Sequence, residues 1–206
     1  MTTTHRSPSL MAWRIAAGGL IALFVAPAIT LAASPSALAR VANPKSVSLN
    51  LADVRHVLSK QLTTTSGRYE KPNAMGACTS TPPVNEYNAT FSGPMSTKGV
   101  LAAISQVYTY KSSAGPACTE ESAASTYKVL GASLGKMSTV HGVGERAFVV
   151  DTTGPKTKQA PVYTLGLNFT RGVYRALIIV QSNQKIKASD MVRLGKIVDG
   201  RMKKFR

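Results

Sequence analysis

Acidic residues are scarce in this chain, whose 206 residues include nine Asp and Glu against 25 Lys and Arg. The formal net charge of +16 favours solubility and anionic neighbours, but it does not specify a fold. Cysteine and histidine are also rare, with two and three residues. No zinc-type cysteine pair, phosphate-binding loop or serine-nucleophile motif occurs. Zinc-finger, nucleotide-dependent and serine-hydrolase chemistry therefore have no support in the sequence.

The first 39 residues have the three-part pattern of a secretory signal peptide. Two basic residues, Arg6 and Arg14, precede an almost uncharged run from Ile15 to Ala33. The small residues of Ala37–Ala39 then provide a cleavage signal. We expect cleavage after Ala39 and a secreted or extracytoplasmic product. The alternative is an uncleaved N-terminal membrane anchor, because the apolar run approaches the roughly 20 residues that span a bilayer.

Cleavage would leave a polar, flexible spacer over residues 40–49 and a single secreted domain over residues 50–206. The domain is long enough for one hydrophobic core. It keeps 23 of the basic residues and all nine acidic ones, because only Arg6 and Arg14 leave with the signal peptide. In an oxidising compartment we expect Cys78 and Cys118 to form a disulfide, and a free reactive thiol is the alternative.

Apolar spacing predicts three helices in this domain. The first spans residues 50–62 with Asn50 as its cap, the second spans residues 117–134, and the third follows Ser189, its predicted cap. The apolar stripe of the third helix consists of Met191, Leu194, Val198, Met202 and Phe205. His56 lies off the stripe of the first helix, so we expect it to be solvated.

Alternating and β-branched residues predict strands at 87–91, 100–110 and 147–150. The beginning of the second of these strands could equally open a helix. Residues 63–86 and 131–144 are rich in turn-forming residues, and they are expected to be connections.

The clearest local pattern is a hairpin, in which residues 163–169 and 173–180 flank a tight turn at Arg171-Gly172. A strict two-residue turn gives opposite pairs Tyr163–Val180, Leu165–Ile178, Leu167–Ala176 and Phe169–Tyr174. A bulge at Gly172 would shift this register by one residue. In either register one face of the hairpin is apolar, so another element of the fold must pack against it. The fold class is therefore α+β, with an antiparallel sheet of four or more strands flanked by N-terminal, middle and C-terminal helices.

Two groups of residues are candidates for function. His141 and Glu145 are four residues apart and could share a proton or bind a metal, but no third ligand lies near them in the sequence. A cluster of basic residues near the C-terminus could contact an anionic polymer or lipid surface. Its members are Lys185, Lys187, Arg193, Lys196, Arg201, Lys203, Lys204 and Arg206.

Several segments resemble exported bacterial domains, namely Leu51–Val54, Val143–Phe148, Tyr163–Leu167 and Asp190–Met202. Over residues 48–205 the chain resembles small actinobacterial lipoproteins and the extracellular sensor domains of some receptor kinases, with a PsbP/LpqN-like α-β-α sandwich. The resemblance implies an envelope ligand-binding or accessory role without enzyme activity. The chain has neither a lipidation cysteine nor a kinase domain, so anchoring and signalling are not carried over. The shared motifs are structural, and no functional residue is carried over.

The sequence therefore predicts a secreted, non-enzymatic domain that binds an unidentified envelope ligand or protein. No catalytic, cofactor-binding or metal-binding residue is assigned, and no cofactor or nucleic-acid partner is expected. Two alternatives remain. One is a small exported hydrolase using His141 and Glu145, and the other is electrostatic binding of anionic polymer or lipid.

Overall fold

The computed structural model describes residues 43–72, 78–94, 99–130, 135–152 and 162–205. These residues form an α+β domain, as the sequence predicted. The elements in chain order are α1 (Pro44–Val47), α2 (Leu51–Val57), β1 (Thr63–Glu70), β2 (Asn85–Ser92), β3 (Val100–Thr109), α3 (Ala114–Leu130), β4 (Lys136–Thr139), β5 (Arg146–Asp151), β6 (Tyr163–Arg171), β7 (Tyr174–Ser182) and α4 (Ala188–Lys203). In these ranges no helix is both long and apolar enough to cross a membrane.

The seven strands of the described residues form one antiparallel sheet in the order β1-β2-β3-β7-β6-β5-β4. One face, the core face, carries apolar side chains that α1, α2 and α4 cover. The core-face side chains that are fully or almost fully buried include Phe91, Val107, Leu167, Phe169, Ala176, Ile178 and Val180. Alternation along each strand sends the intervening side chains to the opposite face.

Residues 43–49 belong to the folded domain, so the prediction of a flexible spacer is wrong for them. The Asn43 side chain caps α1 by accepting a hydrogen bond from the Lys45 amide at 2.9 Å. Val47 and Leu49 are buried in the core. Their burial removes apolar surface from water, which holds this segment on the sheet. Residues 40–42 lie outside the described residues.

Asn50 caps α2 as predicted, through a reciprocal capping box with Asp53. The Asp53 amide donates to Asn50 Oδ1 at 3.1 Å, and the Asn50 amide donates to Asp53 Oδ2 at 2.8 Å. The helix ends at Val57, five residues before its predicted end. Leu62 is instead buried just before β1, and Arg55 Nε donates to the Leu62 carbonyl oxygen at 2.7 Å. His56 is exposed, as expected.

The stripe of α4 is confirmed for Met191, Leu194, Val198 and Met202, all of which are fully buried. Phe205 lies beyond the helix and is 37% exposed, so its inclusion in the stripe is wrong. The predicted cap is also wrong. Ser189 lies inside the helix, and Lys187 occupies the cap position without a side-chain cap hydrogen bond. Burial of the stripe outweighs the missing cap, which contributes only about 1 kcal/mol in a typical helix.

The β6–β7 hairpin exists, but its turn consists of Gly172 and Val173. The observed pairs are Leu165–Val180, Leu167–Ile178 and Phe169–Ala176, so the predicted register is wrong by two residues. Gly172 has a φ of 54°, which suits the first central position of a primed hairpin turn. A shift of two residues keeps every side chain on its predicted face.

The predicted strands at 87–91, 100–110 and 147–150 are present as β2, β3 and β5. Two edge strands, β1 and β4, lie where connections were expected, and those two predictions are wrong. Both strands are mostly exposed and lack an apolar alternation that would reveal them. The middle helix begins three residues earlier than predicted, and residues 131–134 lie outside the described residues.

Two glycines of α4 give a matched test of the packing on the core face. A Cβ atom at Gly195 would lie 2.6 Å from Leu167 Cδ2 and 2.9 Å from Val143 Cγ1. Gly195→Ala should therefore lower the free energy of unfolding by about 1–3 kcal/mol, the usual cost of overpacking. Chemical denaturation of the purified protein measures this change.

The control is Gly200→Ala, because a Cβ atom at Gly200 meets nothing within 4 Å. This substitution should raise the free energy of unfolding by about 0.5–1 kcal/mol through helix propensity. Equal effects of the two substitutions would contradict the close approach of α4 to the sheet at Gly195.

Candidate functional site

The second face of the sheet is lined by polar side chains that are nevertheless buried. We call this surface the polar face. Four neighbours lie side by side across β2, β3, β7 and β6, in the order Glu86, Tyr108, Arg175 and Thr170. The next row contains Asn88, Gln106, Leu177 and Asn168. All of these except Gln106 and Leu177 are more than nine-tenths buried.

Arg175 is the central residue of the polar face. Its Nε donates to Asn168 Oδ1 at 2.9 Å. Its guanidinium carbon lies 5.5 Å from the centre of the Tyr108 ring, which is a cation–π arrangement. These contacts fix the guanidinium group between Asn168 and Tyr108.

The amide side chains of the polar face are incompletely paired. Asn88 Nδ2 donates to Glu86 Oε1 at 3.0 Å, whereas Asn88 Oδ1 is buried without a hydrogen-bond partner. Asn168 Oδ1 accepts from Arg175, whereas Asn168 Nδ2 is buried without a partner. Buried polar atoms in folded proteins are nearly always paired, so these two atoms need a physical explanation. Asn88 Oδ1 is a hydrogen-bond acceptor, and Asn168 Nδ2 is a donor.

Burial raises the pKa of two carboxyl groups at this face. For Glu86 the desolvation outweighs hydrogen bonds from Asn88 and Tyr108. For Glu120, which reaches the face from α3, desolvation outweighs the hydrogen bond that Thr170 Oγ1 donates to Oε2 at 3.1 Å. Burial also raises the pKa of the Tyr108 phenol, which stays protonated at neutral pH. The polar face is therefore an environment that disfavours charge.

Helix α3 covers one end of the polar face, and a disulfide joins it to the segment that precedes β2. The Cys78 and Cys118 sulfur atoms are 2.07 Å apart, so the expected bond is present. Tyr127 of α3 makes an edge contact with Phe148 of β5, with ring centres 6.0 Å apart. The helix also contacts this face through the hydrogen bond between Thr170 and Glu120.

The part of the polar face farther from Glu120 is less covered. Ile104, Leu177 and Ile179 are half-buried there. Gly166 pairs with Ile179, and a Cβ atom at Gly166 would meet nothing within 4 Å. A strip of half-buried aliphatic side chains, with open space at Gly166, thus lies next to the buried amides.

A separate cleft of about 340 Å³ lies between the segment after Cys78 and the beginning of α3. Pro82, Pro83 and Tyr110 are among its lining residues. Thr81 also lines it, and its buried Oγ1 has no hydrogen-bond partner. This cleft is the only other place among the described residues where a buried side-chain polar atom is unpartnered.

His141 and Glu145 lie in the loop between β4 and β5, and both are exposed. The Glu145 carboxylate accepts a hydrogen bond from the Gly172 amide at 3.3 Å, which ties this loop to the β6–β7 turn. Glycine φ values of 78° at Gly142 and 63° at Gly144 shape the loop. The loop has a clear structural role, and its exposed position gives neither residue an unusual chemical environment.

Three of the basic residues near the C-terminus form ion pairs within the domain. Arg201 binds Asp53 at 2.8 Å and the Ser48 carbonyl oxygen at 2.5 Å, and Lys203 binds Asp199 at 3.2 Å. Arg193 lies 3.7 Å from Asp190. The structure also shows four exposed lysines, at 185, 187, 196 and 204, whereas Arg206 is outside the described residues. Part of the basic cluster thus stabilises the fold.

The residues of the polar face were missed by sequence reasoning. They come from β2, β3, β6, β7 and α3, and no short motif joins them. The available signal was the second face of each strand, where Glu86, Asn88, Asn168, Thr170 and Arg175 alternate with core residues. That alternation is typical of a solvated face, and burial by α3 could not be read from it.

No protein-family model matches this chain, and comparison with curated proteins gives no match. Among solved structures, the extracellular domain of PknH from Mycobacterium tuberculosis has a similar fold, with a TM-score of 0.53. The two share 13% sequence identity over 82% of this chain and 98% of that one. At this identity the likeness establishes a shared fold and assigns no residue a role.

The raised pKa of Glu120 gives a stability test that depends on pH. The folded state favours the protonated carboxyl group, so stability is highest below the unfolded pKa and falls as the pH rises through the folded pKa. Glu120→Gln keeps an acceptor for Thr170 and removes the ionisation. We expect a higher melting temperature than the parent at pH 7 and no difference near pH 4.

The control is Glu121→Gln, which changes the exposed neighbour on the same helix. It should shift the melting temperature little at either pH. A loss of stability in Glu120→Gln that is the same at both pH values would contradict burial as the dominant influence on this carboxyl group.

Proposed function

We propose that this chain is a non-enzymatic, extracytoplasmic domain that binds a ligand in the bacterial envelope, and that the polar face is its binding site. The observation that carries this proposal is the pair of buried, unpartnered amide atoms, Asn88 Oδ1 and Asn168 Nδ2. A buried polar atom without a partner costs about 1–3 kcal/mol. A ligand that supplies the missing partners would recover that free energy on binding.

The core face has the apolar packing that stabilises a fold. There α4 places four fully buried apolar side chains against aliphatic and aromatic residues of the sheet. The polar face instead buries Glu86, Tyr108 and Arg175 next to incompletely paired amides. The two faces of the sheet therefore differ in the side chains that they bury. Buried polar groups that are incompletely paired are typical of recognition sites, and the polar face has them.

A non-enzymatic role is supported by the spacing of the two carboxyl groups. Glu86 belongs to β2, whereas Glu120 binds Thr170 of β6, three strand spacings away. Three spacings place the backbones of Glu86 and Thr170 about 14 Å apart, so the two carboxyl groups are bound at opposite ends of one row of the sheet. The exposed His141 and Glu145 also lie outside this face.

Extracytoplasmic location is supported by two further observations. The Cys78–Cys118 disulfide is typical of proteins that fold in an oxidising compartment. The structural neighbour is itself an extracellular domain. The signal peptide remains a prediction, because residues 1–39 lie outside the described residues.

Native mass spectrometry tests the proposal even though the ligand is unidentified. The exported protein is incubated with an envelope extract from the bacterium that expresses it, and its mass is measured under non-denaturing conditions. We expect a complex of discrete added mass. The complex should be lost in Asn168→Ala and in Gln106→Ala, because both substitutions remove amides from the polar face.

Lys196→Gln is the matched control, since Lys196 is exposed on α4 at the opposite side of the sheet. It should leave the complex intact. A complex that survives both amide substitutions, or that is lost in Lys196→Gln and in raised salt, would contradict the assignment to the polar face. The second pattern would instead support the predicted contact of the basic residues with an anionic surface.

A further inference from the structure

We infer that the ligand of the polar face is an uncharged saccharide chain that lies across the strands from Asn88 to Asn168. This inference rests on the function proposed above and adds the chemical class of the ligand. It combines four observations: the unpartnered atoms, the charges around them, the aliphatic strip and the distance between the two amides.

The unpartnered atoms call for a ligand that both donates and accepts hydrogen bonds. Asn88 Oδ1 needs a donor, and Asn168 Nδ2 needs an acceptor. A hydroxyl group can act in either way, and its hydrogen rotates to suit the partner. Saccharides present such groups around every ring, so one chain can satisfy both atoms.

The charges of the polar face are balanced and do not call for an anionic ligand. Among its buried residues in the described ranges, Arg175 is the one cation, and Glu86 and Glu120 are carboxyl groups. The guanidinium group already donates to Asn168 and lies over Tyr108. Two exposed arginines also border this face, because Arg68 pairs with Asn88 and Arg146 pairs with Thr170. Cations and carboxyl groups thus lie side by side, and a neutral ligand needs no charged partner there.

The aliphatic strip suits the carbon-bearing faces of sugar rings. Ile104, Leu177 and Ile179 are half-buried on adjacent strands, and the space above Gly166 is open. The strip is short because Gln106 and Gln181, also half-buried, occupy positions on either side of it. An acyl chain laid along the strip would cross these amides, whereas a saccharide would hydrogen-bond to them.

The distance between the amides indicates an extended ligand. Asn88 and Asn168 lie in one row of the sheet, separated by Gln106 and Leu177. Three strand spacings place their backbones about 14 Å apart. A single sugar ring cannot reach both amides, so the ligand is an oligosaccharide or a segment of a longer glycan.

Isothermal titration calorimetry with defined probes tests this inference. The probes are linear neutral oligosaccharides built from glucose, mannose or N-acetylglucosamine, with a sulfated oligosaccharide and phosphatidylglycerol vesicles as comparisons. We expect at least one neutral series to bind, longer members to bind more tightly than the monosaccharide, and affinity to be insensitive to salt. Asn88→Leu and Asn168→Leu should each weaken binding about tenfold or more, because each removes a hydrogen bond to the ligand.

The melting temperature of each variant shows whether it is folded. If a substitution at a buried amide unfolds the protein, Gln106→Ala tests the same face at a half-buried position. Lys196→Gln should bind like the parent.

Absence of binding to every neutral series overturns the inference, and so does tighter binding of the sulfated probe or the vesicles. A charged or lipid adduct in the native mass spectrum, lost in Asn168→Ala, would overturn the saccharide inference and leave the binding function standing.

Discussion

The disulfide between Cys78 and Cys118 is the constraint on which the polar face depends. Helix α3 contacts this face through the hydrogen bond from Thr170 to Glu120 and the ring contact of Tyr127 with Phe148. The hydrogen bond contributes little net stability, because water satisfies the same groups in the unfolded chain. A disulfide closing a 40-residue loop contributes about 3–4 kcal/mol in the chain-entropy account. The covalent bond therefore adds more to the attachment of α3 than this hydrogen bond does.

The two faces of the sheet also differ in the interactions that bury their side chains. On the core face, α4 combines its apolar stripe with a buried ion pair between Arg171 and Asp199. Burial of Asp199 opposes ionisation, but hydrogen bonds from Arg171 and Lys203 hold its pKa below the ordinary value. The polar face also buries Phe148 and Val150, so it differs from the core face in its incompletely paired amides. Those amide atoms are inaccessible in the closed structure, and a ligand reaches them only through local opening of this face.

Sequence reasoning predicted the parts of this fold that depend on apolar periodicity. The stripe of α4, the cap at Asn50 and the apolar face of the β6–β7 hairpin follow from local patterns. Strand β1 escaped prediction because it is a polar edge strand, in which Gly67 admits the hydroxyl group of Tyr87. The polar face was not predicted from the sequence because its residues come from four strands and one helix. Only the sheet order and the position of α3 bring them together, and neither is encoded in a short motif.

Hydrogen–deuterium exchange with and without the disulfide tests the central claim that this bond holds α3 on the polar face. The exported protein is compared with its Cys78→Ser/Cys118→Ser variant under identical conditions. The account predicts that amides of α3 lose more protection than the roughly two to three orders of magnitude that the loop-closure free energy removes from the whole fold, while α4, β3 and β7 lose no more than that global amount. Unchanged protection of α3, or a loss in α3 no larger than in α4 and the central strands, would contradict it.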